Sequence, residues 1–142
     1  MSSVENNELL QAKELLSCGD ITCAVICGDY RFTSAQRGVK PLLELLEKQS
    51  IVGGSAADKV VGKAAAYLYV LLGVRAIYAN VISELALKVL KKYQIEVSYS
   101  ELVPMIRNRS NTGYCPMEQA TASVDDPNEA LEAIKSTLRA LK

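Results

Sequence analysis

The chain has 142 residues, 49% hydrophobic and 23% charged, and its sixteen basic and sixteen acidic side chains cancel. That length supports one domain with a real core, and the cancelled charge supplies no field to draw it to nucleic acid or to an anionic membrane surface. Histidine is absent, which removes the usual general base near neutral pH, the usual partner of a Ser or Cys nucleophile, and the commonest metal ligand.

The first residues, Met1 to Asn7, lack the basic-then-apolar pattern of a signal peptide. The longest uncharged apolar run, eleven residues from Ala64 to Val74, is too short to span a bilayer. The expected location is the cytoplasm, where Cys18, Cys23, Cys27 and Cys115 would stay reduced. No Cys-x-x-Cys pair occurs, and Cys23 and Cys27 on a strand lie too far apart to share an ion, so neither metal nor cofactor is expected.

In chain order, leucines 9, 10, 15 and 16 followed by Gly19 predict a first helix. The run Thr22 to Cys27, then Gly28-Asp29, then Tyr30 to Thr33, predicts a tight β-hairpin. Val39 to Gln49, with leucines 42, 43, 45 and 46 and Pro41 near its start, predicts a second helix.

Ser55-Ala-Ala-Asp58 resembles a capping box with Asp in place of Glu, and predicts a buried helix running from Ser55 through Val74. On that helix Lys59 and Lys63 would share a face at its mouth, with Gly62 between them permitting close approach. Backbone N–H groups and two ammonium groups would then form an anion site, weighed against two solvated lysines. A nucleotide P-loop is excluded, because Ala57 and Ala64 stand where glycine and Ser or Thr are required.

Arg75 to Ile82 predicts a buried strand, Glu84 to Tyr93 a helix, and Ile95 to Tyr99 a half-exposed strand. In Cys115-Pro116-Met117-Glu118 the proline suits a first helical position, which makes Cys115 the cap and Glu118 the third residue. A thiol at a helix start is a candidate nucleophile, although no histidine can activate it and small buried cysteines are common. Arg37, Arg107 and Arg109 have forked donors suited to phosphate or carboxylate, or to a solvated loop. Asp126-Pro127-Asn128-Glu129 starts a last helix. The order of elements implies an α/β sandwich with a mixed sheet.

Several stretches together resemble a mainly bacterial family known only as a domain of unknown function with a cytidine-deaminase-like fold. They are Thr33-Ser34, Arg37-Gly38-Val39, Pro41-Leu42-Leu43, Ala57 to Ala64, Val81-Ile82-Ser83, Leu102-Val103-Pro104, Gly113, Cys115 to Glu118 and Asp126-Pro127. The resemblance implies a three-layer α/β/α sandwich with a mixed sheet of four to five strands. It also implies a pocket at the start of the central helix, facing the helix after the next strand. Zinc deaminases carry His-or-Cys-x-Glu at the first place and Pro-Cys-x-x-Cys at the second. Here these places read Ala56-Ala57-Asp58 and, near the next strand, Ile82 to Ala86, so every zinc ligand is missing.

The expectation is a deaminase-fold protein without zinc chemistry that binds an anionic small molecule such as a nucleotide or phosphometabolite. Arg37, Ser55, Asp58, Lys59, Lys63, Ser83, Arg109, Cys115 and Glu118 would form the site. One alternative is an enzyme using Cys115, assisted by Asp58 or Glu118, on a nucleotide-like substrate; another is a non-catalytic scaffold or regulatory subunit. Neither nucleic acid nor membrane is an expected partner, and homo-oligomerisation stays open.

Overall fold

The computed structural model describes residues 3–36, 38–48, 51–106 and 115–140. The first leucines lie on α1 (Ser3–Leu16), and the apolar run after Gly19 is β1 (Cys23–Cys27). Gly28 takes φ +60°, a conformation open to glycine because it has no Cβ, and turns the chain into β2 (Tyr30–Ser34) with Cys27 opposite Tyr30. α2 (Lys40–Lys48) follows and buries Leu42 and Leu45.

Ser55 to Val61 is not the opening of a helix. It is β3 (Ser55–Val61), paired antiparallel with β1 and parallel with β4 (Ala76–Ser83). Alanine and a Ser/Asp cap signature favour a helix locally, but pairing on both edges overrides that weak preference. Ala56 and Ala57 are fully buried on opposite faces of the strand, where their small side chains let a layer close on each side. α3 (Lys63–Leu72) begins only after Gly62, whose backbone is extended, and ends at Gly73, whose N–H donates to Tyr69 and Val70 carbonyls.

α4 (Glu84–Lys92) carries the chain to β5 (Glu96–Val103), which pairs parallel with β4. α5 (Pro116–Thr121) starts at the proline, as the sequence predicts, and α6 (Pro127–Ala140) starts where Asp126 Oδ2 accepts the Glu129 N–H at 3.1 Å. The five strands form one mixed sheet in the order β2-β1-β3-β4-β5, with β3 in the middle.

α1 covers one face, packing Ala12 and Leu16 on Ala24, Ile26 and Ala57. The other face meets α2 to α6 in a larger core that joins Leu42, Tyr69, Leu90, Met117 and Ile134 to Val25, Ala56, Ile77 and Ile82. The protein is therefore an α/β/α arrangement of three layers around a mixed five-stranded sheet. Among the described residues no helix is long and apolar enough to cross a membrane.

Candidate functional site

Because β3, β4 and β5 are parallel, their carboxyl ends share one edge of the sheet, and α3 and α4 both start there. In open α/β sheets this edge is the general place for ligands. At each of its two helix starts one N–H group is met by an acceptor from within the protein. The α3 start is Gly62-Lys63, and the Lys63 N–H donates to Glu118 Oε1 from α5, while Glu118 Oε2 accepts the Ile106 N–H at 2.9 Å. Glu118 is 1% exposed, and its carboxyl group places a built-in acceptor at the positive end of the α3 dipole.

Gly62 is what admits it. A Cβ there would stand 2.9 Å from Glu118 Oε1 and 3.1 Å from its carboxyl carbon, so the carboxyl group would have to shift from its place. Ser83 likewise serves its own helix: it is buried, and its Oγ accepts the Ala86 N–H at 3.1 Å.

The expected pairing of Lys59 with Lys63 on one helix face does not occur, since the two residues sit on different elements. Lys59 is half-buried within β3, and its N–H donates to the Thr22 carbonyl at 3.0 Å. Lys63 is buried; its Nζ donates to the Ala122 carbonyl at 2.9 Å and lies 5.9 Å from the Tyr67 ring centre. Tyr67 adds a bond from its hydroxyl to the Val124 carbonyl at 2.9 Å. Lys63 and Tyr67 thus tie α3 to the chain just after α5.

Ser55 caps no helix either. It is fully buried on β3, and its Oγ is the one buried side-chain polar atom without a partner among the described residues. Cys115 caps α5 as expected, half-buried, with no hydrogen bond from its side chain to the helix. Its N–H donates to the Ile106 carbonyl at 2.8 Å. Arg37 and Arg109 lie outside the described residues.

Asp58 belongs to a second cluster. Its Oδ2 accepts a hydrogen bond from the Tyr69 hydroxyl of α3 at 2.8 Å, and its Oδ1 accepts the Val60 N–H at 3.3 Å. The same hydroxyl lies 3.2 Å from Cys23 Sγ, and Cys23 stands in register with Asp58 across the β1–β3 pair. Burial pushes the Asp58 carboxyl up to about 7 against the pull of these hydrogen bonds. Burial also raises the Tyr69 hydroxyl and the Cys23 thiol, each further by the neighbouring Asp58 charge.

Tyr69 and Cys23 escape a reading of the sequence alone. The available signal was Tyr69 itself, because a tyrosine inside an otherwise apolar helix needs a partner for its hydroxyl. Among the described residues no group of three or more Cys, Asp and Glu side chains gathers as a metal site.

The four thiols differ in access: Cys18 is exposed, Cys27 and Cys115 are intermediate, and Cys23 is buried. Iodoacetamide with peptide mapping is expected to label Cys18 first and Cys23 last. Labelling of Cys115 ahead of Cys18 at mildly acid pH would instead support a nucleophilic Cys115.

Fold and site define a class: an α/β protein with a mixed five-stranded sheet, helix starts sealed internally, and a buried Cys-Tyr-Asp chain beside the middle strand. The chain belongs to the DUF1893 (TM1506) family, a domain of unknown function whose description matches residues 11–138. It is similar to the crystal structure of the DUF1893 family protein TM1506 from Thermotoga maritima, with 32% identity, a TM-score of 0.86, and coverage of 93% of this chain and 90% of that one. A looser match is the apo dCMP deaminase of the cyanophage S-TIM5, with 13% identity, a TM-score of 0.44, and coverage of 72% of this chain and all of that one. No curated protein matches the chain.

Proposed function

We propose that this protein binds an anionic small molecule, of the nucleotide or phosphometabolite kind, at Asp58 and without zinc chemistry. The observation that carries the reading is the placement of Asp58. It lies on the middle strand and faces the helical layer, where it meets Tyr69, yet it keeps partial contact with solvent. A carboxyl on the middle strand, facing the helical layer and met there only by hydrogen-bonding groups without charge, is a polar foothold in an otherwise apolar core.

A carboxyl held near pH 7 carries a proton about half the time at neutrality, so it repels a ligand's negative charge less than an ordinary carboxylate would. Arg37 is the expected cation for the ligand's charge. Thr22 Oγ1 donates to the carbonyl of Gln36, the residue before Arg37, at 2.6 Å, and Cys23, the next residue after Thr22, stands in register with Asp58.

Thermal-shift screening of nucleotides and phosphometabolites tests the reading. At least one compound should raise the melting temperature of the wild type, and the rise should shrink in both Asp58→Ala and Arg37→Ala. A panel without any stabilising compound, or equal responses in the variants, would overturn it.

A scaffold function is the second reading. It is favoured by the internal use of Lys63, Ser83 and Glu118, which leaves these polar groups engaged within the fold.

A further inference from the structure

Cys23, Tyr69 and Asp58 come from three elements, and the ligand-binding reading has no use for the first two. Tyr69 is fully buried and Cys23 is 4% exposed, while Asp58 as a residue is less deeply buried than either. The Tyr69 hydroxyl has a single hydrogen and can donate to only one of its two neighbours at a time. With Asp58 ionised, that hydrogen goes to Oδ2, and the Cys23 thiol is left to donate to the hydroxyl oxygen. With Asp58 protonated at Oδ2, the carboxyl donates to the hydroxyl oxygen, and the hydroxyl hydrogen turns to sulfur.

We propose that Asp58, Tyr69 and Cys23 form a proton-operated switch, in which one proton exchanged between Asp58 and water reverses both hydrogen bonds behind it and alters the tie of α3 to β1 and β3. The exchange balances without any other reactant: a carboxyl O–H bond forms or breaks, and the tyrosine and the thiol each keep their hydrogen. The contrast between the states is large in kind, because a hydroxyl bound to a carboxylate is charge-assisted and one bound to a thiol is weak.

The groups facing Asp58 leave it as the member that titrates. From β1 comes Cys23, from α3 Tyr69, and from β4 its register partner Ala79, which carries no charge. On its own strand the contacts are the backbone N–H groups of Val60 and Lys59, with the Lys59 side chain next in sequence. Across the shared core, α2 and α5 contribute Leu42, Leu45 and Met117, while Glu118 is held by Lys63 and Ile106. Burial lifts Tyr69 and Cys23 away from neutrality and brings Asp58 to about 7. The switch does not depend on any ligand, so it can fail or hold separately from the proposed function.

Carbon-13 NMR of tyrosine-labelled and aspartate-labelled protein tests it, with Tyr69→Phe assigning the ring signal. The expected result is an inflection near pH 7 in the Tyr69 Cζ shift, matched by the Asp58 carboxyl carbon, and a flat Tyr69 trace in Asp58→Asn. A Tyr69 signal that does not move from about pH 5.5 to about pH 8.5 would overturn the proposal. So would the same inflection in Asp58→Asn, or, in the wild type alone, an Asp58 carbon that titrates in the ordinary carboxyl range.

Discussion

Replacing Glu118 with alanine is expected to lower unfolding stability by about 2–4 kcal/mol, read from urea denaturation. The side chain is 1% exposed and accepts two backbone N–H groups, one at the first residue of α3 and one at Ile106. Removing it leaves the buried Lys63 N–H without a partner and takes the acceptor from the half-buried Ile106 N–H, and an orphaned buried donor costs about 1–3 kcal/mol. It also takes the negative group from the α3 start and opens a void. Release of a buried charge from its desolvation offsets part of this loss. Glu118→Gln keeps the volume but turns one acceptor into a donor facing a donor, so it is expected to fall between wild type and alanine. A Glu118→Ala variant as stable as wild type would contradict the role assigned to the carboxyl.

The second large effect is a dependence of stability on pH carried by Asp58. Its carboxyl rises from the ordinary 3.8 to about 7 in the fold, so the folded state binds the proton more tightly than the unfolded chain. A raised carboxyl adds stability that is fully present below the unfolded value and is lost as pH climbs through the folded value. The loss therefore runs from about pH 4 to about pH 7 and is complete above that.

Fifteen other acidic residues titrate in the same experiment (sixteen in the chain, less Asp58), and comparison with Asp58→Asn removes their shared contribution. Asparagine can still accept from Val60 and can donate to the Tyr69 hydroxyl, which then points at Cys23, much as in the protonated state. Relative to wild type, Asp58→Asn should gain about 1–2 kcal/mol between about pH 5 and about pH 8, a figure discounted for the partial exposure of Asp58. A stability difference constant across that range would show that Asp58 titrates normally.

Much of the fold is legible in local chemistry. Gly28-Asp29 between two β-rich runs specifies the hairpin, and Cys115-Pro116 and Asp126-Pro127 place the starts of α5 and α6 to the residue. β3 is the exception. Its alanines and its Ser/Asp spacing read as a helix start, and only the partners on both edges make it a strand. The signals for the strand were Val60-Val61 and Gly62, a β-branched pair followed by a residue that weakens helix interiors.

The site suffered from the same error. A four-residue spacing joins Lys59 to Lys63 only on a helix, so the strand dissolves that pair. The sequence reading put the helix start and its anion-attracting N–H groups at Ser55, whereas α3 begins at Lys63, whose N–H needs an acceptor. Its satisfier lies 55 residues further on, in Glu118, and the Cys23–Tyr69 contact spans 46 residues. Contacts at such separations are set by topology and leave no local pattern.

The central claim is that the start of α3 is sealed by the protein's own carboxyl group, with Gly62 making the room. A double-mutant cycle on Gly62→Ala and Glu118→Ala measures it directly. The Cβ added at Gly62 meets the Glu118 side chain at 2.9 to 3.2 Å, so Gly62→Ala should destabilise the wild type by about 1–3 kcal/mol. In the Glu118→Ala background the obstruction is gone, and the same change should have almost no effect. Equal losses in both backgrounds, adding without coupling, would contradict the account.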